Sequence, residues 1–297
     1  MKEKMHELEL QYNSLKFRIS RSANQALQRF RDNSHIAVLR YDHPISNAQT
    51  FPITETVPGT IQFHDMSLFS EHIQNSKSQY QLIFIQSIWD VSPETLVPVL
   101  DKIHKYQSNA KVVFLDWYAP IHIPQPEILE MVDLYVKKQV LKEHQQYTGM
   151  YNTNLLEYEN QHNDNYQCNL ANIRYIQVDL DILSEKLFTG WNFATDRRLT
   201  EQLKKKFYLN KDRPIDVHCR IFAPSERKSW YQHMRGRAYD AVQEIAQKRS
   251  QQFKILSENA RVPYHKYINE LAHSKLCISP FGYGEICWRD FEAILAG

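Results

Sequence analysis

The stretch "YINELAHSKLCISPFGYGEICWRDFEAILAG", residues 267–297, decides how the chain is read. Its pattern predicts a buried strand at 275–279, a tight loop at 280–284 and a helix from Trp288 to Ala296. A parallel strand that runs through a glycine loop into a helix presents backbone N–H groups to a phosphate. Upstream lie the elements such a strand needs as neighbours. Ile215 to Phe222 is expected as a strand, "SERKSWYQHMRGRAYDAVQEIAQKR" as a long helix, Phe253 to Leu256 as a short strand and "YHKYINELAHS" as a helix. Strand alternating with helix predicts a parallel, Rossmann-like unit.

A second series of the same kind precedes it. Ile36–Leu39, Leu82–Ile85, Val112–Leu115 and Leu134–Val136 read as continuous apolar strands. A helix is expected to start near Ser92 or Pro93, since serine caps, proline opens and Glu94 suits the first turn. Residues 148–170 are polar and Asn-rich and read as a loop, after which "NIRYIQVDLDIL" resumes as strand. Met5, Leu8, Tyr12, Leu15, Ile19, Ser22 and Ala26 alternate spacings of three and four, the seam of an amphipathic helix able to self-associate. The expected layout is an N-terminal helix over 1–32 and α/β units over 33–190 and 191–297, with the boundary near 185–212.

The 297 residues, 42% hydrophobic and 24% charged, describe a folded chain with room for two cores. Net charge is +2, but residues 201–297 hold 17 Lys and Arg against 11 Asp and Glu, leaving 19 against 23 before them. A basic second unit suits an anionic ligand. No stripe of basic residues with interleaved aromatics appears, so nucleic acid is not expected as a partner. Cys168, Cys219, Cys277 and Cys287 form no metal-binding spacing, and no metal is expected. No apolar run reaches the roughly 20 residues a bilayer requires, and nothing resembles a secretory signal, so the expected location is cytoplasmic.

The residues Tyr267, Leu271, Ser274, Lys275, Cys277, Pro280, Gly282, Arg289, Glu292 and Gly297 carry a resemblance to the exostosin-like glycosyltransferases of the two-Rossmann GT-B class. It covers about thirty residues, 264–297. The resemblance implies that this region binds a nucleotide-sugar donor, with Ser279, Gly282, Tyr283, Gly284, Arg289 and Glu292 at the ligand. It also implies a glycan or glycoconjugate acceptor and no cofactor apart from the donor substrate. Retaining GT-B enzymes carry two glutamates eight apart, but Gly284 stands eight before Glu292 and Glu285 is one place off, which favours inversion. The family's second unit extends beyond the small-residue turn, so an incomplete second unit is expected here.

Transfer needs positive charge for the leaving diphosphate, supplied without metal by arginine, backbone N–H groups and a helix start. Arg289 is expected on the diphosphate and Glu292, on the same helix face, on the ribose hydroxyls. Arg220 and Arg227, near the carboxyl end of the 215–222 strand, are further phosphate candidates, whereas Arg235 and Arg237 are expected to face solvent. An inverting reaction also needs a base. Asp42, His43 and Asp116 follow strands of the first unit and are the candidates, with Trp89, Trp117 and Tyr118 as stacking faces, while Asp90 reads as a cap. Two other classes compete: a non-catalytic sugar-nucleotide or glycan-binding module, and a flavodoxin-like regulatory domain whose acids hold a divalent metal.

Overall fold

The computed structural model describes residues 35–40, 50, 52–53, 57, 59–75, 79–86, 93–117, 122–123, 125–152, 173–191, 212–223, 225, 230–258, 260–280 and 287–297. The expected N-terminal helix, Asp42, His43, Asp90, Arg227 and the loop residues Gly282, Tyr283 and Gly284 lie outside them.

The first series builds a six-stranded sheet from β1 (His35–Arg40), β2 (Thr60–Asp65), β3 (Leu82–Gln86), β4 (Lys111–Asp116), β5 (Leu134–Lys137) and β8 (Leu187–Thr189). Its spatial order is β2-β1-β3-β4-β5-β8. β1 pairs in parallel with both β2 and β3, and β5 with β8. Ile36 to Leu39, Ile83 to Ile85 and Val112 to Leu115 are buried without alternation, as strands covered on both faces must be. The helices α1 (Met66–Asn75), α2 (Pro93–Tyr106) and α3 (Pro126–Glu130) follow β2, β3 and β4. Proline and Glu94 open α2, and His104 with Lys105 close it, matching the helix dipole at both ends.

Two strands of this sheet were not expected. β2, "TIQFHD", is half exposed along its length, so its polar residues hide the strand signal. β8 is three residues long and follows α4 (Leu180–Lys186), whose start Asp179 caps by accepting from the amides of Asp181 and Ile182. Gly190 sits where an added Cβ would come within 2.4 Å of Val136 Cγ1, so only glycine fits. The strand expected in "NIRYIQVDLDIL" forms, whereas the loop expected over 148–170 needs correction. β7 (Ile173–Ile176) pairs antiparallel with β6 (Gly149–Asn152) in a separate two-stranded sheet, so the polar segment begins with a strand.

The second series forms a three-stranded sheet from β9 (Ile215–His218), β10 (Ile255–Leu256) and β11 (Ser274–Cys277), in the order β10-β9-β11 and parallel throughout. The helices α5 (Trp230–Lys248), α6 (Tyr264–Ala272) and α7 (Trp288–Leu295) follow the three strands in turn. Val242 of α5 packs with Cys219 and Ile221, while Ile268, Leu271 and Ala272 of α6 pack with Ala296. Each such buried aliphatic side chain contributes roughly 1.5–3 kcal/mol. Arg213 ties the ends of this region together, donating to the Ser274 carbonyl at 2.8 Å and the Ala296 carbonyl at 3.0 Å. By compactness the chain divides into residues 1–86 with 97–113, and 87–96 with 114–297. No helix among the described residues is long and apolar enough to cross a membrane.

Candidate functional site

In the order β10-β9-β11 the first strand of the series stands between the second and the third. The chain therefore passes from β9 to one side and returns across it to β11 on the other, and the crevice beyond the carboxyl ends of β9 and β11 is where open parallel sheets bind ligands. The residues at that edge are His218, Cys219 and Arg220 after β9, and Ile278 and Ser279 after β11, with the start of α7 beside them.

Arg289 occupies the first turn of α7. Its Nη2 donates to the Arg220 carbonyl at 3.2 Å, while Nε and Nη1 are buried without a hydrogen-bond partner among the described residues. A buried unsatisfied donor costs about 1–3 kcal/mol, so such groups are uncommon unless a ligand uses them. His218 shows the same state: it is fully buried, its Nε2 lies 3.4 Å from Glu270 Oε2, and its Nδ1 has no partner. Burial holds the His218 pKa below its ordinary value, against the opposing pull of the Glu270 carboxylate.

Arg220 is differently placed. Nε and Nη2 grip both oxygens of Glu270 at 2.5 and 2.9 Å, and Nη2 also reaches Glu258 at 3.1 Å. Burial opposes the ionisation of Glu270, but the Arg220 guanidinium outweighs it and holds the carboxyl below its ordinary value. The positive charge of Arg220 is thus already met by protein carboxylates.

Ser279 donates to Asp290 Oδ1 at 2.5 Å, and the second oxygen of Asp290 accepts from the Cys287 amide at 2.8 Å. This clasp joins the end of β11 to the N-cap of α7, and it satisfies one of the amide donors that a helix start otherwise offers. Glu292 is buried and hydrogen-bonded with the Tyr267 hydroxyl; burial, and after it the Glu292 carboxylate, pushes the tyrosine far above its ordinary value. Cys219 and Cys277 flank Arg289, and burial pushes both thiols up to about 11, so neither is a thiolate nucleophile at neutral pH.

Arg235 departs from expectation. It is buried and donates to the Phe222 carbonyl at 2.9 Å, because the chain after β9 folds back over α5, whereas Arg237 is exposed as expected.

At the ends of β4 and β5 the described side chains are engaged with one another. Asp116 is fully buried, accepting from Lys137 Nζ at 2.6 Å and from the Tyr135 hydroxyl at 2.8 Å. Lys137 also donates to the His122 carbonyl at 3.1 Å. In this arrangement Asp116 has no exposed face for an acceptor hydroxyl. Trp117 is buried edge-on against Trp191 with ring centroids 5.1 Å apart, so its ring is packed rather than presented for stacking.

Sequence reasoning missed His218, Glu270 and Asp290. His218 interrupts an apolar strand and Glu270 falls within the buried stripe of α6, and each is a polar residue at an apolar position that could have flagged the site.

No family model matches the sequence, and no curated protein matches it. Among solved structures the chain is similar to an alpha-glucosyltransferase in complex with UDP and a 13-mer DNA containing a central A:G mismatch, at 9% identity and a TM-score of 0.41, over 89% of this chain and 77% of that one. It is also similar to the Salmonella typhimurium RcsB response regulator, at 14% identity and a TM-score of 0.26, over 73% of this chain and 83% of that one. At these scores neither likeness assigns a fold or a function to the chain.

Proposed function

We propose that the protein is a glycosyltransferase that takes a sugar from a nucleoside diphosphate donor and passes it to a glycan or glycoconjugate acceptor, metal-independently and with inversion. The observation that carries this reading is Arg289: a guanidinium with buried, unpartnered Nε and Nη1 groups at the β9/β11 crevice. A diphosphate supplies the acceptors those donors lack, and the same contact stabilises the charge that develops as the sugar bond breaks. The motif resemblance over 264–297 points to the same ligand. Arg289 holds the diphosphate and Glu292, three residues on, meets the ribose hydroxyls. Arg220, gripped through Nε and Nη2 by Glu270, acts by fixing the carbonyl on which Arg289 rests.

Calorimetric titration of uridine, guanosine and adenosine diphosphates into wild type and Arg289→Ala tests this, with folding checked by circular dichroism. Loss of a charge-assisted contact should weaken binding by about tenfold or more. Equal binding by a folded Arg289→Ala variant refutes the assignment.

A specific observation favours the second reading, a non-catalytic sugar-nucleotide or glycan-binding module. Asp116, the one proposed base among the described residues, is buried in a pair with Lys137. Donor hydrolysis or transfer separates the two, since a binding module retains affinity without turnover.

A further inference from the structure

A cleft of about 260 Å³ opens at the carboxyl ends of β9 and β10, lined by Arg220, Phe222, Glu258, Arg261, Val262 and Tyr267 among others. None of its residues apart from Arg220 belongs to the set expected to bind the donor. Two of its features face solvent. Phe222 leaves 66% of its surface exposed, although a large aromatic ring is ordinarily covered, and it forms an apolar wall with Val262. Glu258 is also exposed, with a side-chain exposure of 65%; one of its oxygens is engaged by Arg220, and Arg261 stands at the same rim.

We propose that this cleft is a base-recognition subsite and that it selects guanine. The proposal rests on the donor reading of the preceding subsection and names the nucleotide. The cleft adjoins the diphosphate position directly, because the Arg220 carbonyl that anchors Arg289 belongs to a residue lining the cleft. An exposed aromatic wall takes the face of a planar heterocycle and does not discriminate among bases. Discrimination falls to the polar rim, where a carboxylate accepts only and a guanidinium donates only. Guanine alone among the common bases presents two adjacent N–H donors, N1–H and N2–H, beside a carbonyl acceptor. The donors meet Glu258 and the carbonyl meets a guanidinium. Adenine and cytosine place a bare ring nitrogen opposite the carboxylate, which repels it, and uracil offers a single N–H between two carbonyls.

The test is calorimetric titration of guanosine, uridine and adenosine diphosphates, with inorganic pyrophosphate as a ligand that lacks a base. The proteins are wild type, Glu258→Gln and Phe222→Ala. Guanosine diphosphate should bind wild type about tenfold or more tighter than the other two nucleotides, since bonds to a charged partner are the strong ones. Glu258→Gln should erase that preference while leaving pyrophosphate unchanged. Phe222→Ala, which removes an exposed ring, should weaken all three nucleotides about tenfold through lost stacking and again spare pyrophosphate. The inference is overturned if the wild type binds the three nucleotides within a factor of two, or if Glu258→Gln keeps the guanine preference. Failure of the donor reading looks different: pyrophosphate and every nucleotide then bind no more weakly to Arg289→Ala than to wild type.

Discussion

The two parallel sheets end in opposite electrostatic states. At the edge of the six-stranded sheet, Asp116, Lys137 and Tyr135 satisfy one another out of contact with water. At the edge of the three-stranded sheet, Arg289 and His218 are buried with nitrogens that no described residue meets. In the first case the neighbouring strand supplies the counter-charge, and in the second it does not. On the reading proposed above, the buried nitrogens of Arg289 are what a bound diphosphate would meet.

The contrast is broken most easily at its closed end. Lys137→Met strands the Asp116 carboxylate and should cost about 3–5 kcal/mol, whereas the double variant Asp116→Asn, Lys137→Met should recover most of that loss. Denaturant melts of both variants decide it, and a silent single variant would mean that water reaches the pair.

At the open end the effect should appear in binding rather than folding. Arg289→Ala should lose about 1.5–3 kcal/mol of nucleoside diphosphate affinity and leave the melting temperature unchanged or raised, because it removes an unsatisfied buried group. A large drop in melting temperature would make both edges structural.

His218 sharpens the contrast through pH. Its folded pKa is depressed below the ordinary 6.5, so the unfolded chain binds the extra proton first as pH falls. Its contribution to stability is complete above pH 6.5 and is lost as pH drops through the folded value, at up to about 1.4 kcal/mol per pH unit. Melts of wild type and His218→Gln between pH 7.5 and about 5 should converge toward acid. Parallel curves would place the histidine in contact with solvent.

The smallest effect belongs to the surface. Lys275 and Asp216 pair at 2.6 Å in an exposed position, and Lys275→Ala should leave the melting temperature where it was.

Strands β1, β3 and β4 were legible because two-sided burial writes an unbroken apolar run, whereas β11, expected to be buried, leaves Lys275 and Leu276 exposed. β2 and β8 were not, since an edge strand can be polar or as short as "LFT" and still pair through its backbone. Arg289 and Arg220 could be brought to one edge from sequence, because strand ends and helix starts are set by local pattern. Their different roles could not. Those depend on Glu270, fifty residues from Arg220, and on whether its carboxylate falls on one guanidinium or the other. Long-range pairing of that kind leaves no periodic trace.

Arg213 has a consequence for the order of events during synthesis. It lies before β9, yet the carbonyls it holds belong to Ser274 and Ala296, the latter 83 residues later. A ribosome adds about 5–20 residues each second, so Arg213 is made several seconds before these two carbonyls exist. Strands β9, β10 and β11 can pair through their backbones before then, but the tie from Arg213 to the end of α7 forms only after α7 has been made.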